Sequence, residues 1–180
     1  AKGATVSVFN EKGHEFAFEE TEDGVFKNEE IEPVPYAEYR LVVTYQNEIY
    51  EATENFIPTP ELLYIEQNNE GGFTGEDIEL RIFYQDPADI ENYYLFRFFG
   101  EQLSLQIYDD RFTDGNVNFA FFTDEDLESG EEVGLEIQGI SEDFYEYMFI
   151  LRSQAGNNNG GPFQTQPTIV RGNIVNITCL

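Results

Sequence analysis

Ile78-Glu79-Leu80-Arg81-Ile82-Phe83-Tyr84 sets apolar residues at every second position, with Glu79 and Arg81 between them. A period of two belongs to a half-buried β-strand, because successive side chains on a strand point to opposite faces. The same period recurs outward in both directions. Toward the C-terminus it marks 93–99, 102–108, 117–122 and 133–138. Both alternating sets are apolar in 93–99, so both faces of that strand are expected to be covered. Toward the N-terminus it marks 62–66, 49–53, 39–45, 25–26, 15–19 and 5–9. Short turns at 10–14, Asp23-Gly24 and Gln46-Asn47-Glu48 separate those strands, as in hairpins. The expected fold is mainly β.

One segment departs from that period. In 141–154, Phe144, Tyr147, Met148 and Leu151 fall at i, i+3, i+4 and i+7. Ser141 is placed to cap a helix, Glu142 and Asp143 suit its first turn and Arg152 its last. A single helix packed on a sheet is therefore expected near 141–154. Ile57-Pro58-Thr59-Pro60 breaks both ladders and helices and divides the chain. The expectation is of two antiparallel β-sandwich units. Residues 1–57 would form a small one lacking its first strands; 58–180 would form a second, carrying the helix, a Gly/Asn-rich loop and a final extended tail from 168 to 177.

Composition narrows the function. Across 180 residues, 36 Asp and Glu face 9 Lys and Arg, a formal charge of −27. Seventeen Phe and eleven Tyr exclude a disordered polyanion, since disordered chains lack the aromatics of a core. An acidic skin repels phosphate backbones and anionic lipid, so neither nucleic acid nor a bare lipid surface is an expected partner. No apolar run reaches the roughly 20 residues of a membrane-spanning helix. One cysteine, Cys179, allows no internal disulfide. The chain opens directly into a strand pattern without a signal peptide, which suggests a fragment. Asn176-Ile177-Thr178 fits the glycosylation triplet, a pattern common by chance.

Catalytic chemistry has few candidates. His14 is the single histidine, sits in a hairpin turn, and would have to serve any Ser-His or Cys-His arrangement. It reads as a surface residue. A carboxylate-pair hydrolase needs two acids about 5–10 Å apart across a cleft, which so acidic a chain offers anywhere. A hard cation is the more specific candidate, because it takes six to eight oxygens from loops of this kind. Asp109, Asp110, Asp114 and Asn116 in the loop 109–116 are the candidate calcium ligands, and Asp86-Pro87-Ala88-Asp89 is the second such loop. The competing readings are an ordinary Asp-Gly turn and direct neutralisation by Arg111. No other cofactor is expected.

Phe73-Thr74-Gly75-Glu76-Asp77-Ile78, Phe83-Tyr84-Gln85-Asp86-Pro87, Tyr93-Tyr94, 140–147, Pro162-Phe163 and Gly172-Asn173-Ile174 follow one another in an order that resembles a Bacteroidota family of outer-membrane lipoproteins, domain of unknown function 4249. The likeness runs through nearly all of the chain. It implies an immunoglobulin-like or transthyretin-like sandwich and an envelope location, with membrane attachment only through a lipid anchor absent from this sequence. It also implies a protein often encoded near TonB-dependent outer-membrane transporters, and no catalytic residues. The expected function is a non-enzymatic cell-surface lipoprotein module that binds an extracellular ligand or partner, as an accessory to such a transporter. The alternatives are a structural or adhesive module with cation-stabilised loops and, third, the carboxylate-pair hydrolase. The expected contact surfaces are the loops 68–75, 109–116 and 156–161.

Overall fold

The computed structural model describes residues 2–72, 74–100, 102–124, 127–155 and 169–178. The fold is mainly β, with antiparallel sheets and one helix. The strands are β1 (Thr5–Asn10), β2 (Glu15–Glu22), β3 (Val25–Lys27), β4 (Glu38–Tyr45), β5 (Glu48–Asn55), β6 (Glu61–Gly71), β7 (Asp77–Gln85), β8 (Tyr93–Phe99), β9 (Leu103–Asp109), β10 (Val117–Thr123) and β11 (Gly134–Ile140). The helix α1 (Glu142–Ala155) follows, and β12 (Val175–Asn176) comes last. The chain forms two compact units, one of 1–57 with 168–180 and the other of 58–167.

In the first unit the described strands make one six-stranded sheet, β12-β5-β4-β1-β2-β3. The sandwich expected for 1–57 is thus represented there by a single sheet. Register puts Val6 against Phe18 and Val43, and Val8 against Phe16 and Leu41, so these six share one half-buried face. Gln46 and Asn47 both take positive φ, the two-residue turn whose twist matches a hairpin. The tail corrects the expected boundary. Val175 pairs with Glu51, and Ile177 N–H donates to Ile49 O at 2.8 Å, so 169–178 belongs to the first sheet and not to the second unit. The reason is the open edge of β5, whose backbone groups need partners.

The second unit is layered. Sheets β10-β7-β6 and β11-β8-β9 face each other across Ile82, Tyr84, Tyr94, Phe96, Phe98, Ala120 and Phe122. Phe98 and Phe122 stack at 4.9 Å between centroids, and Tyr84 meets Tyr94 edge-on at 5.1 Å. Such pairs add specific geometry to the burial of large apolar area. The other face of β8, Tyr93 and Leu95, packs with Ile140 and Tyr145 under α1. Both faces of β8 are covered, as its two apolar sets require.

Ser141 caps the helix, its Oγ accepting from Phe144 N–H at 3.3 Å. The buried stripe differs from the expected one, however. Met148 is buried and Tyr145 packs on Tyr93 at 5.0 Å, while Phe144 and Leu151 are exposed. The segment 68–75, expected to be a loop, is strand as far as Gly71, paired with β7 through register shifts at Leu62/Tyr64 and Asn68/Gly71. The Gly/Asn-rich loop at 156–161, Pro162-Phe163 and Cys179 lie outside the described residues.

Candidate cation site

Four strand termini meet at one end of the second unit. β7 runs out at Gln85, and Asp86-Pro87 stops it because proline has no N–H for the ladder. Asp86 N–H still reaches across to Asn116 O at 3.1 Å, so the ladder to β10 holds Asp86 against the 110–116 turn. β9 ends at Asp109, and Asp110 starts that turn, its carbonyl accepting from Thr113 N–H at 2.6 Å. Asn116 N–H closes the turn on Thr113 O at 3.0 Å. Asn92, the residue before β8, donates its N–H to Asp110 Oδ2 at 2.9 Å and accepts Asp110 N–H at 3.2 Å.

This arrangement gathers Asp86, Asp110 and Asp114, one carboxylate oxygen of each lying within 4.8 Å of the others. Asp86 is 1% exposed and Asp110 2%, whereas Asp114 faces solvent. Asp86 Oδ1 accepts from the Tyr94 hydroxyl and its Oδ2 from Gly115 N–H at 2.8 Å. Asp114 Oδ2 takes Asp89 N–H at 3.3 Å. Burial pushes the Asp110 carboxyl above the usual carboxylate range; the charges of Asp86 and Asp114 add to the rise, and the Asn92 N–H opposes it. Burial together with the bond to Asp86 likewise pushes the Tyr94 hydroxyl up.

No base answers these acids among the described residues. The ion pairs found there are Lys2–Asp23, Arg40–Glu51, Arg81–Glu79 and Arg97–Glu136. Arg111, the expected neutraliser, forms none among them. Two of the four sequence candidates, Asp110 and Asp114, enter the cluster. Asp109 does not: its Oδ2 accepts from the Tyr145 hydroxyl at 2.9 Å and so ties β9 to α1. Asn116 braces the turn, its Nδ2 donating to Thr113 O and Asp114 O. Asp86 replaces them as the third carboxylate, from the loop read as a separate candidate.

His14 is exposed in the first unit, edge-on to Phe16 at 4.6 Å. A depression of about 370 Å³ along β9, lined by Ser104, Gln106, Tyr108 and Arg152 among others, has no carboxylate in its wall.

The sequence model of one protein family, Domain of unknown function (DUF4249), matches residues 1–178. The chain belongs to this family. No match was found among curated proteins or among solved structures.

This DUF4249 chain has a second feature in the same unit, on the outer face of β10-β7-β6. Tyr64 stacks on Phe83 at 4.5 Å and Phe83 meets Phe119 at 5.4 Å, forming a row of rings across all three strands. Tyr64, Phe119 and Phe121 are each nearly half exposed, at 46–47%. Arg81 lies 5.7 Å from the Phe119 centroid, and its Nε is 2.7 Å from Glu79 Oε1.

Proposed function

We propose that the chain is a non-enzymatic cell-surface module that binds a protein partner through the outer face of β10-β7-β6. The observation that carries this reading is the exposed row Tyr64–Phe83–Phe119, extended by Phe121. The equivalent face of the other sheet is covered by α1, and exposed aromatic patches of this kind on acidic surfaces mark interaction sites. Arg81 is neutralised by Glu79, and Glu66 stands opposite it in β6, so the rim of the patch is acidic. A complementary partner therefore presents an apolar centre with basic residues around it.

The family resemblance adds the finer reading: a Bacteroidota lipoprotein held at the outer membrane by a lipid anchor, with a TonB-dependent transporter as its partner. The hydrolase reading has less support, because the depression along β9 lacks the paired acids that such chemistry needs. The test is purification of the full-length native protein in mild detergent, as wild type and as a Tyr64→Ser/Phe119→Ser variant checked for retained circular dichroism. Stoichiometric recovery of an outer-membrane β-barrel with the wild type and its loss with the variant is the expected result. Recovery of the wild type alone, from a preparation that keeps other envelope complexes intact, overturns the reading.

A further inference from the structure

We propose that Asp86, Asp110, Asp114 and the side-chain oxygen of Asn92 bind a single divalent cation of the calcium class, which pins together the 86–89 and 110–116 loops. The inference stands apart from the partner-binding face, which lies on the outer side of β10-β7-β6.

Two observations carry it independently. The first is the carboxylate cluster, with two of its three members almost fully buried and no basic side chain paired to it among the described residues. Charges taken out of water need a counter-charge or a metal. The second is Asn92. It is 5% exposed, and its backbone is bonded to Asp110 in both directions, yet its Oδ1 is a buried acceptor with no donor. Covalent geometry keeps that oxygen within about 5 Å of its own amide nitrogen. That nitrogen is 2.9 Å from Asp110 Oδ2, so the orphan acceptor lies within about 8 Å of that carboxylate oxygen. An acceptor without a donor near carboxylates without a base describes a place for a positive ion that brings no hydrogen.

The donor chemistry selects the ion. Every candidate ligand is oxygen, and hard cations take carboxylates and amide carbonyls. Zinc favours histidine and cysteine; the single histidine is His14, exposed in the other unit. Calcium–oxygen distances of about 2.4 Å allow ligand oxygens up to about 4.8 Å apart on one coordination sphere. The three carboxylate oxygens fall within that span without rearrangement. The exposure of Asp114 leaves the outer side of the ion to water, which completes a sphere of six to eight.

The experiment uses the full chain, stripped with EDTA and studied in about 0.15 M NaCl so that the −27 charge is screened. CaCl₂ is titrated by calorimetry, and melting is followed with and without it. One saturable site per chain and a higher Tm in Ca²⁺ are expected. Because Asp114 is exposed, Asp114→Asn folds normally, and it should weaken Ca²⁺ binding by about tenfold or more. Asp109→Asn, outside the cluster, should leave the affinity within about twofold. The proposal is overturned by the absence of saturable binding up to about 10 mM Ca²⁺. It is equally overturned if wild type and Asp114→Asn respond alike, or if Asp109→Asn is as damaging as Asp114→Asn. An equal Tm rise for wild type and Asp114→Asn in MgCl₂ and CaCl₂ reports general screening of surface charge, and that too overturns it.

Discussion

Tyr94 gives the Asp86 carboxylate one of the two hydrogen bonds it accepts, and both residues are buried, at 2% and 1% exposure. Tyr94→Phe keeps the ring against Tyr84 and removes only the donor. The orphaned Asp86 oxygen should then cost about 1–3 kcal/mol of stability, read from urea unfolding in EDTA. Gly115 tests the contact between the two loops in another way. Its φ is +72°, and an added Cβ would sit 2.8 Å from the Ala88 Cβ. Gly13 has nearly the same φ, +76°, and nothing within 4 Å. Gly13→Ala should therefore lose only the left-handed backbone cost of about 1–2 kcal/mol, with Gly115→Ala losing clearly more. Equal losses in the two variants would mean that the loops part easily. At this scale the sequence was half legible. Alternation along a strand separates Asp109 from Asp110, since neighbours point to opposite faces, and that parity could have removed Asp109 from the ligand set. Nothing local joins Asp86 to Asp110. Their meeting depends on the bond from Asp86 N–H to Asn116 O, a product of strand register that a single sequence leaves open.

The strand that carries most of the second unit is β8. Tyr94, Phe96 and Phe98 point to the facing sheet, while Tyr93 and Leu95 point to the helix side. Phe98→Ala empties a site 1% exposed and stacked on Phe122, so it should cost about 3–5 kcal/mol. Phe112→Ala, at a residue 92% exposed, should stay within about 0.5 kcal/mol of wild type in the same denaturation series. Elements with strong alternation were legible because their period reflects which face is buried. β6 shows where that logic stops. Asn68-Asn69-Glu70-Gly71 reads as loop by composition, yet it continues the strand, Asn68 and Gly71 pairing with β7 on either side of a register shift at the rim of a sheet. Polar and charged residues are what an exposed edge strand tolerates, so its pattern carries no burial signal. The helix stripe failed for a related reason. Tyr145 is drawn inward by its ring contact with Tyr93 and its bond to Asp109, and the narrow contact that results leaves Phe144 and Leu151 outside.

For the whole chain, the decisive feature is that the second unit is an insertion between two strands of the first sheet, β5 and β12. The first sheet is therefore completed by residues more than a hundred positions away from its other strands, and its β5 edge is held by a small number of named bonds. Ile49 N–H donates to Thr178 Oγ1 at 2.6 Å, Ile177 N–H to Ile49 O at 2.8 Å, and Asn173 Nδ2 to Thr53 O at 3.2 Å. The pairing itself covers only Val175 and Asn176, both exposed, so little apolar burial supports it. Such an edge should open locally without unfolding anything else. Thr178→Val keeps the shape and removes the acceptor for Ile49 N–H. A neutral hydrogen bond is worth about 0.5–1.5 kcal/mol net, so amide exchange at Ile49 should quicken by about two- to tenfold under native conditions. Exchange at Phe96, in the centre of the second unit, should stay unchanged, because the residues that form that core lie outside the tail. If both amides quicken together, opening of the tail is coupled to global unfolding, and the two units are one cooperative body. If neither changes, the Thr178 hydroxyl is not what protects the Ile49 amide.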